Sequence, residues 1–360
     1  MILEETKVFK VKPDLSGEND IENLTFAADV LKRGGLVAFP TETVYGLGAN
    51  ALNENAVKSI FTAKGRAQDN PLIVHLSKAE DMDKYAKVDL CPKAHLLMDR
   101  MPAPLTVIMP KRDIVPSVVT AGLDSVAQRV PESVIARKLI ELSGVPVAAP
   151  SANISGKPSP TKASHVIADM TGKADVIIDG GCCSVGLEST VVSLCSDVPK
   201  LLRPGGFTYE SLCEILGEVE ISDAVLSQLK EGQKPESPGM KYKHYAPDAR
   251  VVLVKGKEEN VKKLLTEKYK NGNTGIICYD GDVEANDSRV ITVGSRQDNS
   301  LYAEKMFDCL RSMDKIEGID TIYACLPEDT SGISLAIYNR MLRAAAFYVV
   351  DADTALTEGE

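Results

Sequence analysis

Several patterns that direct proteins to membranes or to the cell exterior are missing from this chain of 360 residues. No apolar run approaches the roughly 18 residues of a membrane-spanning helix. The first residues, MILEETKVFKVKPD, lack the basic stretch and apolar core of a signal peptide. The eight cysteines show no CxxC pair and no regular spacing, which is typical of reduced thiols. We therefore expect a cytoplasmic protein without a membrane segment.

The common nucleotide-binding and covalent-catalysis motifs are also absent or misplaced. No GxxxxGK sequence followed by Ser or Thr occurs, so we expect any ATP to bind without a P-loop. YGLGANA at residues 45–51 matches GxGxxA, but PTETVY separates the strand-like LVAFP from Gly46, which is too long for the tight turn of an NAD site. No Ser-His-Asp arrangement or activated cysteine is evident, which favours catalysis by positioning and charge.

The overall charge argues against a further class of protein, those that bind nucleic acid over a broad surface. The chain has 41 Lys and Arg against 51 Asp and Glu, a formal charge of −10. Proteins that bind nucleic acid over a broad surface need a basic face, so we expect no such surface here. A local basic pocket for a phosphorylated small molecule remains compatible with this charge. The 44% apolar and 26% charged residues are ordinary for a soluble globular protein.

The order of helix and strand patterns predicts two α/β domains joined by a linker. Residues 1–217 combine many short strands with few long helices, which predicts a twisted mixed sheet of parallel and antiparallel strands. Residues 249–360 resemble a smaller Rossmann-like domain without a phosphate loop, which favours an accessory role. Residues 218–248 form a connection that is unusually long for a compact protein.

AKGRAQDNPLIVH (63–75) carries the first candidate site residues. The apolar face of a predicted helix, followed seven residues on from Val57, reaches Lys64, and Gly65 can end the helix there. Two cations directed inward, Lys64 and Arg66, need a counter-charge. The alternative is that Lys64 extends along the surface to solvent and Arg66 pairs with Asp69.

Three further segments place cations or small polar residues at strand ends. The apolar strand VPVAAP runs into a loop with Ser151, Asn153 and Ser159, which are hydrogen-bonding groups but also ordinary turn residues. Arg129 lies in SVAQRVP, and Arg203 ends a strand before a Gly-rich turn. A triphosphate, with about four negative charges, would balance the cations of all these segments: Lys64, Arg66, Arg129 and Arg203.

Taken in order, the motifs resemble the YrdC-type threonylcarbamoyl-adenylate synthase family in its long, two-domain form. The matching segments are FPTETVYGLGANA, KGR with NPLIVH, PLTVI, VAQRVP, APSANISGKPSPT, STVV, LLRPGG and, between the domains, PGMKYKHYAP. The resemblance implies a nucleotidyltransferase that makes L-threonylcarbamoyl-AMP from L-threonine, bicarbonate and ATP and releases pyrophosphate. The product would supply downstream machinery that transfers the threonylcarbamoyl group to a tRNA adenosine beside the anticodon.

The resemblance also implies the residues of the site. His75 is included, although its strand position alone indicates a structural histidine. Magnesium would be held mainly by the ATP phosphates, because no carboxylate cluster occurs in the motifs. The residues that would hold threonine or the carbamate are Thr41, His75, Arg129 and Ser189. The residues that would bind ATP are Lys64, Arg66, Thr120, Ser151, Asn153, Ser159, Arg203 and Tyr245, and the catalytic ones among them are Lys64, Arg66, Ser151 and Asn153.

The linker stretch SPGMKYKHYAP (237–247) is richer in functional side chains than a spacer requires. Two tyrosines, two lysines and a histidine occupy residues 241–245. We expect this stretch to fold over the pocket of the first domain as a lid, with Tyr245 contacting the phosphates and Lys241 and Lys243 adding charge. Two alternatives stay open: a carbamoyl-transfer or other adenylate-forming enzyme on the same fold, and an RNA-binding or ribosome-associated module.

Overall fold

The computed structural model describes residues 5–227, 245–285 and 287–355. The chain divides into two compact units: Met1–Ser155 with Ser159–Lys241, and Gly156–Pro158 with Tyr242–Glu360. Helices and strands alternate in both units, so the α/β class predicted from the sequence is confirmed. Among the described residues, no helix is long and apolar enough to cross a membrane.

A mixed sheet forms the centre of the first unit. In the described residues its strands are β1 (Lys7–Lys10), β2 (Val37–Phe39), β3 (Gly46–Asn50), β4 (Ile73–His75), β5 (Leu105–Pro110), β6 (Ser125–Arg129), β7 (Val147–Ala148), β8 (Val176–Asp179), β9 (Thr190–Ser193), β10 (Lys200–Arg203) and β11 (Glu220–Ile221). They lie in the order β1-β8-β2-β3-β7-β4-β6-β5-β9-β10-β11. β4 and β6 are parallel whereas β4 and β7 are antiparallel, which confirms the predicted mixed sheet.

Helices cover one face of this sheet. Leu24 and Leu31 of the first long helix and Leu139 of the fifth pack with Phe39 and Val176 in a buried apolar core. The apolar residues recur at helical spacing, which is why these segments form amphipathic helices. The helices of the first unit are α1 (Asp20–Lys32), α2 (Glu54–Lys64), α3 (Ala94–Met98), α4 (Ser117–Thr120), α5 (Val134–Ser143), α6 (Ala163–Met170) and α7 (Tyr209–Leu216), with short 3₁₀ turns at Ala79–Lys84, Val88–Leu90 and Asp223–Val225.

Strand register places the functional candidates on the same face of the sheet as this core, because His75 pairs with Val147 of the core, and on the strands that follow β7 in the sheet order. His75 of β4 pairs with Arg129 of β6, and Ile73 pairs with Ala127. Because side chains alternate along a strand, His75 and Arg129 share a face with Ile73 and Ala127. We call this side of the sheet the site face; its apolar floor consists of Ile73, Ile108, Ala127, Val191 and Leu202.

The second unit is a smaller α/β domain with an entirely parallel sheet over the described residues. Its strands are β12 (Arg250–Lys255), β13 (Thr274–Cys278), β14 (Val290–Thr292), β15 (Thr321–Cys325) and β16 (Val349–Asp351), in the order β14-β13-β15-β12-β16. Parallel strands connected through helices are the Rossmann-like arrangement predicted from the sequence. The helices are α8 (Glu258–Tyr269), α9 (Ser300–Met313), α10 (Ile333–Ala344) and α11 (Ala352–Ala355).

The boundary between the units is less simple than a single linker. β11 pairs in parallel with β10, so the beginning of the predicted 218–248 connection extends the first sheet. Within the second unit, Arg311 donates hydrogen bonds from Nε and Nη2 to the carbonyl of Pro158, at 3.0 and 2.6 Å. The predicted lid residues 237–244, with Lys241 and Lys243, lie outside the described residues.

Candidate active site

Lys64 ends α2 with its ammonium group directed into the protein. Asn53 caps the helix by accepting from the backbone N–H groups of residues 55 and 56, and Gly65 ends it with a left-handed φ of 61°. Lys64 is 2% exposed, so the surface alternative is wrong for this residue. Its Nζ donates to the carbonyls of Ser151 and Asn153, at 2.5 and 2.6 Å. The helix therefore carries a positive charge to the loop after β7.

The loop after β7 is held rigidly by short hydrogen bonds. Ser151 Oγ donates to Asn153 Oδ1 at 2.5 Å, and Asn153 Nδ2 donates to the carbonyl of Ile154 at 2.8 Å. The backbone N–H of Ser155 donates a hydrogen bond to the carbonyl of Lys64 at 2.9 Å. Lys64, Ser151 and Asn153, which the sequence predicts as one catalytic group, are thus in direct contact.

Arg66 makes a separate set of contacts. The side chain is half-buried, and its Nη2 donates to the carbonyls of Asn70 and Pro71, at 3.3 Å each. These bonds tie Arg66 to the turn that leads into β4. Thr120, also predicted to lie along the nucleotide, is 1% exposed at the end of α4, and the neighbouring Val119 carbonyl accepts from the N–H of Leu72.

His75 and Arg129 lie side by side on the site face. The Nδ1 of His75 is 3.2 Å from the carbonyl of Ile73, and its ring lies edge-on to Phe39. Burial, together with the neighbouring Arg129 charge, lowers the pKa of His75 to about 3. At neutral pH the imidazole is therefore uncharged and acts as a hydrogen-bonding group.

The Arg129 guanidinium is hydrogen-bonded to two side chains of the loop after β2. Nη1 donates to Thr43 Oγ1 at 2.9 Å, and Nη2 donates to Glu42 Oε1 at 2.5 Å. Thr43 Oγ1 is in turn 2.8 Å from Thr41 Oγ1, and Thr41 donates to the carbonyl of Val44 at 2.6 Å. Predicted residues Thr41 and Arg129 are thereby joined through Thr43.

Glu42 is a site residue that the sequence argument missed. Its carboxylate offsets the charge of Arg129, so Arg129 adds less net positive charge to the site than a guanidinium without an acidic partner would. The signal in the sequence was the carboxylate inside FPTETVY, one residue after Thr41. Nothing in that stretch indicates a partner in a strand 87 residues later.

Ser189 and Arg203 form a second polar group at the other end of the site face. Arg203 donates from Nε to the Ser189 carbonyl at 3.0 Å and from Nη2 to Ser189 Oγ at 3.2 Å. Thr106 of β5, another residue missed from the sequence, lies 2.7 Å from Ser189 Oγ through its hydroxyl. A side chain at Gly205 would overlap the backbone between Glu188 and Thr190, which explains the glycine after Arg203.

Ser159 and Tyr245 complete the predicted set. Ser159 is fully buried, and its hydroxyl donates to Glu188 Oε1 at 2.5 Å. Tyr245 belongs to the second unit, where its ring lies 5.1 Å from that of Phe307. It has a left-handed φ of 64°, which is uncommon for a residue with a side chain.

Two family models match the chain. One, the Sua5/YciO/YrdC model described as "Telomere recombination", matches residues 29–205. The other, described as "Threonylcarbamoyl-AMP synthase, C-terminal domain", matches residues 207–346. Together they span most of both units.

Named relatives extend this similarity over nearly the whole chain. The chain is 46% identical to the threonylcarbamoyl-AMP synthase of Pyrococcus abyssi, over 91% of this chain and 95% of the relative. It is 44% identical to that of Bacillus subtilis, over 90% and 93%. A crystal structure of P. abyssi Sua5 complexed with L-threonine superposes with a TM-score of 0.88 at 43% identity, covering 96% of this chain and 99% of the other.

Proposed function

Because the chain belongs to the threonylcarbamoyl-AMP synthase family, its reaction is the formation of threonylcarbamoyl-AMP, and we propose how its first unit performs it. The substrates are L-threonine, bicarbonate or CO2, and ATP, and pyrophosphate is the second product. The observation that carries the proposal is the similarity to the P. abyssi threonylcarbamoyl-AMP synthase, which extends over 91% of the chain. The relative with bound L-threonine supports the first of these substrates.

Threonine binds over the site face, between the loop after β2 and the start of β9. This placement uses Thr41, His75, Arg129 and Ser189, of which His75 and Arg129 are neighbours in the sheet. The apolar floor suits the methyl group of threonine, while the hydroxyls and the guanidinium suit its polar atoms. A neutral His75 contributes a hydrogen bond without adding charge.

ATP binds along the loop after β7 and the turn after β10. Lys64 supplies a buried charge, and Ser151 and Asn153 are the small polar groups beside it. The other proposed contacts are the remaining residues that the sequence predicts for ATP: Arg66, Thr120, Ser159, Arg203 and Tyr245. With these cations the protein lowers the repulsion between two anions that must meet.

The chemical step needs no protein nucleophile. Threonine and bicarbonate give an N-carboxylate and water; a carboxylate oxygen then attacks the α-phosphorus of ATP, and the bond to pyrophosphate breaks. The described residues contain no group of three His, Cys, Asp or Glu that could cage a metal ion. A magnesium ion would be held mainly by the ATP phosphates and would offset part of their charge.

A reconstituted reaction tests this function. Pyrophosphate release should require threonine, bicarbonate and ATP together, and the labile product should feed the downstream transfer of the threonylcarbamoyl group to tRNA in the cytoplasm. ATP turnover that proceeds equally without threonine would contradict the proposal and favour another adenylate-forming or carbamoyl-transfer reaction. Tight RNA binding at physiological salt without nucleotide chemistry would favour the RNA-binding module instead.

A further inference from the structure

The buried ion pair between Glu42 and Arg129 contains two polar atoms that are not satisfied. Glu42 Oε2 and Arg129 Nε have no hydrogen-bond partner among the described residues. Both side chains are only 4% exposed. Buried polar atoms are paired in most proteins, so an orphaned acceptor beside an orphaned donor is a mark of a binding site.

The other atoms of the pair are fully engaged and fix its position. Arg129 Nη1 and Nη2 bind Thr43 and Glu42 Oε1, respectively. The backbone carbonyl of Glu42 accepts from the N–H of Val185 at 2.8 Å, which anchors the loop from its other side. Oε2 therefore cannot swing to a new partner without breaking this network.

Among the described residues, three ionisable groups that interact with Glu42 or Arg129 carry no positive charge at neutral pH. His75, next to Arg129, stays neutral because burial and the Arg129 charge lower its pKa. The Cys183 thiol stays protonated because burial and the Glu42 charge raise its pKa. Glu132, whose pKa burial and Glu42 raise, is an exposed carboxyl and not a donor of positive charge.

An α-amino acid carries the complementary pair of groups: an ammonium donor and a carboxylate acceptor on one carbon. We propose that Glu42 binds the α-amino group of threonine through Oε2, while Arg129 Nε donates to the threonine carboxylate. This inference rests on the proposed function and adds to it the residue that recognises the nitrogen to be carbamoylated. Glu42 thereby makes the site selective for a free amine.

A ligand that lacks the amino group leaves Oε2 unpaired in a buried position, and sites of this kind discriminate strongly against such analogues. (R)-3-Hydroxybutanoate is threonine without its amino group, and it keeps the methyl, hydroxyl and carboxylate groups. Calorimetry on the full-length wild-type protein should show that threonine binds at least 100-fold more tightly than this analogue, by the order of discrimination known for such sites.

Glu42→Gln then separates recognition from structure. Threonine affinity should fall at least about tenfold, the loss expected for a buried hydrogen bond to a charged group, whereas affinity for the analogue should stay within about threefold. Glu132→Gln, the same change at a nearby exposed carboxylate, should alter neither affinity. A thermal unfolding curve identifies the folded variants, and Glu42→Asp replaces Glu42→Gln if the amide destabilises the protein.

Each result decides the matter. Equal losses for both ligands would mean that Glu42 acts only by orienting Arg129, and would overturn the proposal. Equal affinities of the wild type for threonine and the analogue would also overturn it, without any variant. If the wild type bound no threonine, the proposed function itself would fail, and this inference with it.

Discussion

Replacing Lys64 by methionine, which keeps the length of the side chain but removes its charge, tests the proposed ATP site. Two unit charges about 4 Å apart interact by about 4 kcal/mol at an effective dielectric constant of about 20. Lys64 is 2% exposed, so solvent screens its charge little. If Lys64 stabilises charge that develops on the phosphates in the transition state, turnover should fall about 1,000-fold, since each ~1.4 kcal/mol is a factor of ten.

The same substitution has a smaller effect on stability. The carbonyls of Ser151 and Asn153 lose their donor, at a cost of about 1–3 kcal/mol for each unpaired group. Removing a buried ammonium offsets much of this cost. Lys64→Met should therefore stay folded, which circular dichroism and a melting curve would establish before turnover is measured.

Lys58 on the same helix is the matched control. Its Nζ lies 3.5 Å from Glu54 Oε2 and its side chain is 49% exposed, so Lys58→Met removes an equal charge from the surface. The assay is pyrophosphate release at saturating ATP, threonine and bicarbonate. If Lys64→Met kept more than a tenth of wild-type turnover, or lost activity only as it unfolded, the electrostatic role assigned to Lys64 would be refuted.

Three other outcomes follow from the geometry. Thr43→Val should lower the free energy of unfolding by about 2 kcal/mol in urea titrations, because it leaves Arg129 Nη1 without its buried acceptor; the exposed Thr25→Val should change it little. The free energy of unfolding should fall as the pH drops below about 6.5, the ordinary pKa of histidine. Below that pH His75 binds a proton in the unfolded chain, whereas in the folded protein it stays neutral until the pH approaches its pKa of about 3. Denaturation of His75→Phe across the same pH range should show a weaker dependence, and an unchanged one would contradict the lowered pKa. Chelation of magnesium by EDTA should stop pyrophosphate release without shifting the melting temperature, since no metal cage exists among the described residues; a shift would reveal a structural ion.

Local periodicity was enough to place Lys64, but not to place its partners. The helical spacing from Val57 predicts that Lys64 follows the buried face, and the structure confirms it. Its acceptors lie 87 and 89 residues further on. The mixed sheet was predictable from the number of short strands, whereas the pairing of β4 with both β6 and β7 was not, because a strand's sequence does not encode its neighbours.

The partners of Glu42 and Thr106 at the site were likewise not predictable from the sequence. Glu42 stands between two threonines in a loop, and Thr106 is a polar residue in an apolar strand. Each becomes significant only when the fold brings it to a distant group: Arg129 for Glu42, and Ser189 for Thr106. The beginning of the long connection contains a strand that the sequence did not indicate, for a related reason. Glu220–Ile221 is too short to show alternation, and its pairing with β10 makes it a strand.

The ionisable groups near the site face limit the chemistry that the first unit can perform. His75, with a pKa of about 3, cannot serve as a general base near neutral pH, where a catalytic group needs a matching pKa. Burial raises the pKa of the Cys183 thiol, so it is a poor nucleophile. Burial likewise raises the pKa of the Tyr45 hydroxyl, which already donates to the carbonyl of Gly181. None of these three groups therefore supplies a charge near neutral pH, which fits a reaction driven by positioning and by charge neutralisation from the lysine and arginine side chains.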